Sequence, residues 1–276
     1  MIPRPFVKWA GGKTYLLPEL HRIVDATITR HPGLGYCEPM VGGGALYWTI
    51  LDRFSKLVVA DVNPDLINLY TIIRDDPDAL ISELMRPDYK FIHKSDKASL
   101  ATYYRIRASE PTDSVERAAR LLFLLRTCFN GLMRTNQKGR FNVPAGSYKN
   151  PKICNPELIL TDSAALQGTD IICDMAIATI KSLTTPHLIF LDPPYHGEKK
   201  FTQYSGGFDL DRQKELAKTI IESPHPFIYT NRSHPDINCL FDGIAGITIK
   251  KLPLRHTVQP QYTTGLVEEE LLVYRG

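Results

Sequence analysis

Short apolar runs that stop at an acidic residue recur along the chain and predict the strands of a sheet. The run Leu188–Leu191 stops at Asp192, where two prolines end the strand pattern. Runs of the same kind stop at Glu38, at Asp61 and at Asp174. Because an open α/β sheet binds its ligand at the carboxyl ends of its strands, these carboxylates indicate a ligand crevice at that edge.

The middle of the chain, from about Tyr70, changes to apolar residues at helical spacing. We expect helices over Ala79–Met85, Leu100–Arg107 and Val115–Arg126. The pattern breaks over Phe129–Lys149, where two short polar and basic segments about a Lys-Gly turn predict a β-hairpin. After the hairpin the α/β pattern returns, so the chain is predicted to be an α/β protein with an insertion.

The composition fits one globular α/β domain with an insertion. The chain has 276 residues, 43% hydrophobic and 23% charged, which is enough for a sizeable core. Its five cysteines are odd in number, widely spaced and without a C-x-x-C pair, so we expect neither a disulfide framework nor a zinc site. No run approaches the roughly 18 apolar residues of a membrane helix, and no signal peptide is evident. We therefore expect a cytoplasmic protein without a membrane segment.

Net charge is only +3, but the charges are unevenly distributed. The segment Asp61–Asp88 is acidic, whereas no acidic residue lies between Arg117 and Pro156. The cations of that second segment are Arg117, Arg120, Arg126, Arg134, Lys138, Arg140, Lys149 and Lys152. Because they are interleaved with aromatic, Asn and Gly residues, we expect this part of the chain to bind a phosphate backbone and a groove of duplex DNA.

The segment Asp192-Pro193-Pro194-Tyr195 brings together an acid, a proline carbonyl and an aromatic ring. An exocyclic amine can donate one hydrogen bond to the Asp192 carboxylate and one to the Pro193 carbonyl, while its ring stacks on Tyr195. An adenine held in this way turns its N6 lone pair outward. The segment therefore suits a planar ring that bears an amino group.

Two glycine turns lie nearer the N-terminus. The turn at Gly11–Thr14 is not a phosphate-binding loop, because Val7 stands where that loop has its first Gly. The turn at Gly42–Gly44 is not a dinucleotide fingerprint, because Tyr47 stands where the third Gly belongs. Asp61 follows Gly44 by 17 residues, close to the position of the acid that binds ribose hydroxyls in nucleotide-binding βαβ units. We expect the next helix to begin with Asn63 as its N-cap and Pro64 as its first residue.

Four motifs resemble those of one enzyme family. Asp192–Tyr195 resembles the D/N/S-P-P-Y/F/W motif of S-adenosylmethionine-dependent amino-methyltransferases, whose acceptors are N6 of adenine, N4 of cytosine or a glutamine amide. Phe6–Lys13 resembles the F-x-K-W-A-G-G-K segment of the Dam-like DNA adenine methyltransferases, and Glu38–Gly44 resembles their glycine turn. Phe129–Tyr148 resembles their DNA-recognition hairpin, and the order of the motifs is that of the α group. The resemblance covers nearly the whole chain.

The resemblance implies a Rossmann-like S-adenosylmethionine-dependent methyltransferase fold with an inserted helical and β-hairpin DNA-recognition domain. Residues 1–69 and 155–276 would form the catalytic domain, and residues 70–154 the target-recognition domain. The implied reaction transfers a methyl group from S-adenosylmethionine to N6 of an adenine flipped out of duplex DNA, in the sequence GATC. No metal is required for it.

The resemblance also assigns roles to individual residues. The catalytic residues would be Asp192, Pro193, Pro194 and Tyr195. The cofactor-binding residues would be Trp9, Ala10, Gly11, Lys13, Glu38, Pro39, Gly42, Gly43, Asp61, Asp174 and Asp192. The DNA-binding residues would be Lys8, Phe129, Asn130, Leu132, Arg134, Asn136, Pro144, Tyr148 and Lys149. Among these, Arg134 would read a guanine, and Phe129 and Asn130 would fill the gap around the flipped base.

Other interpretations stay open at this point. The acceptor could be N4 of cytosine, RNA or a protein amide, or the chain could be a relative that binds DNA without turnover. A restriction endonuclease acting on the same site would be a natural partner, and no obligate protein partner is indicated.

Overall fold

The computed structural model describes residues 1–9, 11–196, 208–253 and 269–276, so the predicted cofactor contact of Ala10 lies outside the described residues. The strands are β1 Gly35–Glu38, β2 Leu57–Asp61, β3 Thr169–Cys173, β4 His187–Leu191, β5 Phe227–Arg232, β6 Thr248–Pro253 and β7 Glu269–Arg275. The helices are α1 Leu17–Arg30, α2 Tyr47–Ile50, α3 Pro64–Asp75, α4 Pro77–Leu84, α5 Lys97–Ala108, α6 Ser114–Thr127, α7 Pro156–Leu166, α8 Ala176–Ser182, α9 Leu210–Glu222 and α10 Pro235–Asn238.

The strands form one seven-stranded sheet in the order β3-β2-β1-β4-β5-β7-β6. The first five of these pair in parallel, whereas β7 is antiparallel to both β5 and β6. Tyr36 of β1 pairs with Leu57 of β2 on one side and with Leu188 of β4 on the other. The chain order therefore reverses between β1 and β4, which is where an open parallel sheet forms its ligand crevice. This arrangement confirms the predicted Rossmann-like α/β fold.

Both faces of the sheet are covered, as a parallel sheet requires. Side chains alternate across each strand, so Leu188 and Phe190 of β4 pack with helices α1, α3, α6 and α7. The intervening Ile189 and Leu191 pack with α8, α9 and α10 on the other face. The apolar runs of β1, β2 and β4 are thus strands that are buried on both sides, whereas β3 at the edge of the sheet is only partly buried.

Local signals fix the helices that lead away from the crevice. The side chain of Asn63 accepts hydrogen bonds from the backbone N–H groups of Asp65 and Leu66, and Pro64 is the first residue of α3, as predicted. The side chains of Asp96 and Asp113 cap α5 and α6 in the same way. The predicted helices of the middle segment are present as α4, α5 and α6.

The predicted hairpin is present only as a reversed segment without regular strands. Its pairing is limited to two isolated bridges, Cys128 with Ala145 and Thr135 with Phe141. The prediction of two short strands was therefore wrong. Asn130 adopts a φ of 54°, and Pro144 has no N–H to donate, so a continuous ladder cannot form around them.

The expected boundary between residues 69 and 70 falls inside α3, whose Tyr70 is fully buried. Helix α3 packs against α6 of the inserted segment and against α7 beyond it. One hydrophobic core therefore runs across this boundary, and the division into two domains stays a prediction.

Two further observations bear on the composition. All five cysteines are free thiols. No helix in the described part of the chain is long and apolar enough to span a membrane.

A buried acid anchors the N-terminal segment to the core. Asp162 of α7 is fully buried, and its Oδ1 accepts a hydrogen bond of 3.1 Å from the backbone N–H of Arg4. Its Oδ2 has no hydrogen-bond partner among the described residues. Burial raises the pKa of this carboxyl group to about 7, although Arg4 and Arg126 oppose the shift. Because the folded pKa lies above the unfolded one, Asp162 lowers stability as the pH rises from about 4 to about 7.

We expect Asp162→Asn to stabilise the fold more at pH 8 than at pH 5, with a gain of about 1–3 kcal/mol at the higher pH. The amide keeps the acceptor for Arg4 but removes the cost of burying a charge. Urea unfolding at both pH values measures the gain. The exposed Asp242, changed to Asn, is the matched control and should show no such pH dependence. A gain that is equal at both pH values would refute the role given to the charge.

Candidate active site

The carboxylate of Asp192 lies directly after β4 and is held from two sides. The hydroxyl of Thr230, on the neighbouring β5, donates a hydrogen bond of 2.9 Å to Oδ1. Nζ of Lys13 lies 2.6 Å from Oδ1 and 2.7 Å from Oδ2. The N-terminal segment and the D-P-P-Y segment, far apart in the sequence, therefore meet at one carboxylate.

Lys13 is itself almost completely buried, with 2% of its side chain exposed. Its ammonium group also donates to the carbonyl oxygen of Gly11 at 2.9 Å and lies 4.8 Å from the centre of the Tyr195 ring. A buried ammonium group needs such partners, because burial without them would cost several kcal/mol.

Tyr195 is fixed by an acid that the sequence did not single out. Its hydroxyl donates a hydrogen bond of 2.7 Å to Oε2 of Glu270, and the hydroxyl of Tyr15 donates to the same oxygen at 2.8 Å. Glu270 is fully buried, and burial raises the pKa of its carboxyl group, an effect that Lys13 opposes. Burial and the nearby carboxylates of Asp192 and Glu270 likewise raise the pKa of Tyr195.

The carbonyl groups of Pro193 and Pro194 differ in their hydrogen bonding. The side-chain amide of Gln213 donates a hydrogen bond of 2.8 Å to the carbonyl of Pro194, and its Oε1 accepts one from Tyr229. The carbonyl of Pro194 is therefore occupied by Gln213 of α9 and is not available to a substrate. Within the part of the chain that the structure describes, no hydrogen bond uses the carbonyl of Pro193.

Trp9 lies against the second glycine turn. A Cβ atom on Gly42 would come within 2.7 Å of the Trp9 ring, and one on Gly43 within 2.9 Å of the Trp9 Cβ. Gly42 also has a φ of +48°, and the hydroxyl of Tyr70 donates to its carbonyl oxygen at 3.1 Å. Only glycine allows this contact, so the structure brings Trp9, Gly42 and Gly43 together.

Three further acids lie at the carboxyl ends of the parallel strands β1, β2 and β3. Glu38, before the buried Pro39, accepts from the Tyr36 hydroxyl at 2.6 Å, and burial raises the pKa of its carboxyl group to about 8. Asp61 accepts from the backbone N–H of Gly42 at 3.1 Å, and burial raises its pKa too. Asp174 is exposed and follows β3. All four predicted acids, Asp192 included, lie along one edge of the sheet.

Several predicted DNA contacts lie together on the inserted segment. Nζ of Lys8 is 4.8 Å from the centre of the Tyr148 ring, and Lys149 is exposed beside it. The backbone N–H of Phe129 donates to the carbonyl oxygen of the exposed Pro144 at 2.9 Å. Phe129 is 49% exposed, so its ring is accessible to a partner.

Asn130, Leu132, Arg134 and Asn136 have different surroundings along the same segment. Asn130 is exposed, whereas Leu132 is half-buried and packs against the core. Nε of Arg134 donates to the side-chain oxygen of Asn142 at 2.7 Å, which orients the guanidinium group. Oδ1 of Asn136 accepts from the backbone N–H groups of the turn at 2.9 and 3.1 Å, so this side chain shapes the turn.

Half of the cations in the acid-free segment are used within the protein. Arg117 and Arg140 each form an ion pair at 2.6 Å with an acid outside that segment. Arg120 and Arg126 are partly buried and donate to backbone carbonyl groups. The exposed cations of the segment are Lys138, Arg140, Lys149 and Lys152, whereas its other four cations are partly buried. The positive surface is therefore smaller than the sequence suggested.

Comparison with known proteins agrees with this geometry. The profile of the D12 class N6 adenine-specific DNA methyltransferases matches residues 9–252 of the chain. The type II methyltransferase M.MjaIII of Methanocaldococcus jannaschii is 35% identical over 226 residues, which cover 78% of this chain and 78% of that protein. The DNA adenine methylase of Escherichia coli K12 is 32% identical over 237 residues, which cover 83% of this chain and 80% of that protein.

A DNA adenine methylase of Vibrio cholerae serotype O1 is 35% identical over 218 residues, 78% of this chain and 74% of that protein. The shared profile spans the crevice, the glycine turns and the inserted segment. The chain belongs to the D12 class of N6 adenine-specific DNA methyltransferases.

Proposed function

We propose that the protein transfers the methyl group of S-adenosylmethionine to N6 of an adenine that is flipped out of duplex DNA, within GATC. The observation that carries the proposal concerns the N-terminal segment at the carboxyl edge of the sheet, where Lys13 contacts Asp192 and Trp9 contacts the Gly42–Gly43 turn. The recognition segment would be residues 70–154, and residues 1–69 and 155–276 would perform the chemistry.

The residues at this edge fit S-adenosylmethionine. The glycine turn presents backbone without side chains, and Trp9 beside it offers an aromatic surface. The carboxylates of Glu38, Asp61 and Asp174 suit the ammonium group, the ribose hydroxyls and the adenine amine. The ammonium of Lys13 suits a carboxylate. When bound, the cofactor supplies a methyl group already activated by its sulfonium.

The chain's own residues would then orient the acceptor. The Asp192 carboxylate and the Pro193 carbonyl would accept the two N6 hydrogens, and Tyr195 would stack on the ring. Because Lys13 now lies at hydrogen-bond distance from both oxygens of Asp192, its ammonium group must turn aside when the amine enters. Positioning N6 and stabilising the positive charge that grows on it are the protein's main contributions.

The inserted segment would read and distort the DNA. Arg134 would pair with a guanine through its guanidinium group, which Asn142 already orients. Phe129 and Asn130 are exposed where the space left by a flipped base would need filling. The type II name of the archaeal relative supports a restriction endonuclease as a partner that acts on the same site.

The direct test uses labelled S-adenosylmethionine and duplexes with and without GATC, followed by nucleoside analysis. We expect N6-methyladenine only in the GATC duplex. Detection of N4-methylcytosine would identify cytosine as the acceptor instead of adenine, and label in RNA alone would identify RNA as the acceptor. Cofactor binding without transfer to any nucleic acid would support the relative without turnover.

Asp192→Asn should lower kcat by about 100-fold or more while leaving DNA affinity within about twofold. The amide keeps the size of the side chain but cannot stabilise a positive charge on N6. Single-turnover methylation and a filter-binding titration measure the two effects. Asp211→Asn, an exposed acid on α9, is the control and should keep wild-type kcat. Full activity in Asp192→Asn would exclude the mechanism.

Arg134→Ala should reduce discrimination against one substituted base pair of GATC by about 1–3 kcal/mol. Methylation rates on duplexes with single substitutions measure this. Lys138→Ala is the matched control. Removing this exposed cation at the turn should weaken the binding of all duplexes to a similar extent. Unchanged base preference in Arg134→Ala would remove Arg134 from the readout.

A further inference from the structure

Two histidines and an aspartate form a compact cluster beside the active site. His196 directly follows Tyr195, and His234 and Asp236 lie at the start of α10. Oδ2 of Asp236 is 3.4 Å from Nε2 of His196 and 3.5 Å from Nδ1 of His234. One ligand atom from each residue lies within 4.8 Å of the others. None of the three has a part in the proposed methyl transfer.

These separations match those around a tetrahedral zinc ion. Zinc binds histidine nitrogen and carboxylate oxygen at about 2.0–2.2 Å, so two ligands of one tetrahedral ion lie roughly 3.3–3.5 Å apart. Both measured N–O separations have this value, and the hydrogen bond of 3.3 Å that Nδ1 of His234 accepts from the backbone N–H of Asp236 would give way to the ion. A mixed set of imidazole and carboxylate ligands favours zinc and similar transition metals over magnesium or calcium.

We propose that His196, His234 and Asp236 bind one divalent transition-metal ion, with zinc as the best fit. The cysteine spacing from which we expected no zinc site does not bear on this cluster, which contains no thiol. Its ligands come from two segments that only the fold brings together, at the ends of β4 and β5.

The position of the site gives the ion a structural effect. His196 continues the Asp192–Tyr195 segment, and His234 follows β5, which carries Thr230 against Asp192. An ion held between them would join the end of the catalytic motif to the turn after β5. A ligand that binds only the folded state also raises stability.

Calorimetric titration of the full-length, metal-free protein with ZnCl2 tests the proposal, with Tm as a second readout. We expect one zinc ion per chain with a Kd at or below about 10 µM, and a higher Tm. His234→Ala and Asp236→Asn should each weaken binding at least about tenfold, and MgCl2 should give no heat. His31→Ala, a change at an exposed histidine after α1, should bind like the wild type.

The nearest competing ligand is a thiol. Sγ of Cys239 lies 3.3 Å from the carbonyl oxygen of Asp236, so Cys239→Ser is included and should keep zinc binding. Loss of binding in Cys239→Ser alone would mean a thiolate site and overturn the proposal. Wild-type zinc affinity in both His234→Ala and Asp236→Asn would also overturn the proposal. So would the absence of stoichiometric zinc binding by the wild-type protein.

A separate observation concerns Glu270. Its carboxylate is fully buried, its Oε2 accepts hydrogen bonds from Tyr195 and Tyr15, and its Oε1 has no hydrogen-bond partner among the described residues. Lys13 lies 3.9 Å from that second oxygen. A buried carboxylate is costly, and its place behind the proposed stacking surface indicates a function rather than a contribution to stability.

We infer that Glu270 is a positioning residue that sets the plane of the Tyr195 ring. This inference rests on the proposed function, in which Tyr195 stacks on the flipped adenine. The hydrogen bond of 2.7 Å from the Tyr195 hydroxyl to Glu270 fixes the outer end of the Tyr195 ring. The backbone at Pro194, which Gln213 holds, fixes the end of the ring nearest the chain. Without Glu270, the Tyr195 ring would rotate and would no longer stack on the flipped adenine in a single orientation.

Glu270→Ala should lower kcat by about tenfold or more, with the KM for DNA within about twofold of wild type. Glu270→Gln should restore part of kcat, because its amide oxygen still accepts from Tyr195. Tyr15→Phe is the matched control, since it removes the other hydrogen bond to the same oxygen and should keep most activity. Wild-type kcat in Glu270→Ala would overturn the inference.

A readout independent of activity separates this inference from the proposed function. In protein with ¹³C-labelled tyrosine rings, the Tyr195 signal, assigned with Tyr195→Phe, should shift or broaden in Glu270→Ala. An unchanged Tyr195 signal would refute the positioning role even if methylation fails for another reason. If the Tyr195 signal shifts in Glu270→Ala but the wild-type protein methylates no adenine, the positioning role stands and the proposed function is refuted.

Discussion

One buried ammonium group holds the active site together. Nζ of Lys13, near one end of the chain, lies 2.6 Å from the carboxylate of Asp192 and 3.9 Å from that of Glu270, near the other end. Each carboxylate raises the free energy of ionising the other, and in a poorly solvated site this repulsion is large. The positive charge of Lys13 offsets it, so both acids can stand beside the same tyrosine. Removing that charge would leave two like charges in a space with little water.

The order of the strands decides which residues reach this ammonium group. β5 lies between β4 and β7, so Thr230 is adjacent to Asp192, and Arg232 pairs across the strands with Glu270. The parallel strands deliver their carboxyl ends to the crevice. β7 runs the other way, so it delivers its amino end, and this is how an acid near the start of the last strand enters the site.

The sequence predicted the structure correctly where a residue type at a given position is typical of one local structure only. Apolar runs that end in acids predicted β1 to β4 and placed Asp192 at the crevice, and Asn63 with Pro64 predicted the start of α3. Glu270 was missed because its place depends on the antiparallel insertion of β7, and a strand read alone shows no direction. Gln213 was missed because its partner is a backbone carbonyl, which every residue has.

The inserted segment shows a different limit. Its composition predicted correctly where the chain reverses, but left-handed backbone at Asn130 and the missing donor of Pro144 replace the expected ladder by two single bridges. Charge counting also overstated the positive surface, because burial of Arg120 and Arg126 depends on tertiary packing. Sequence alone cannot distinguish an arginine that meets solvent from one that closes a gap in the core.

The contacts of two consecutive residues have a consequence for how this methyltransferase binds its two substrates. Lys8 contacts Tyr148 of the inserted segment, and the next residue, Trp9, contacts the glycine turn. One peptide bond therefore joins the residues that make these two contacts. Thermodynamic linkage then requires that any effect of DNA on cofactor affinity be matched by an equal effect of cofactor on DNA affinity. In the proposed function, the N-terminal segment is thus a short connection between the surface for DNA and the surface for the cofactor.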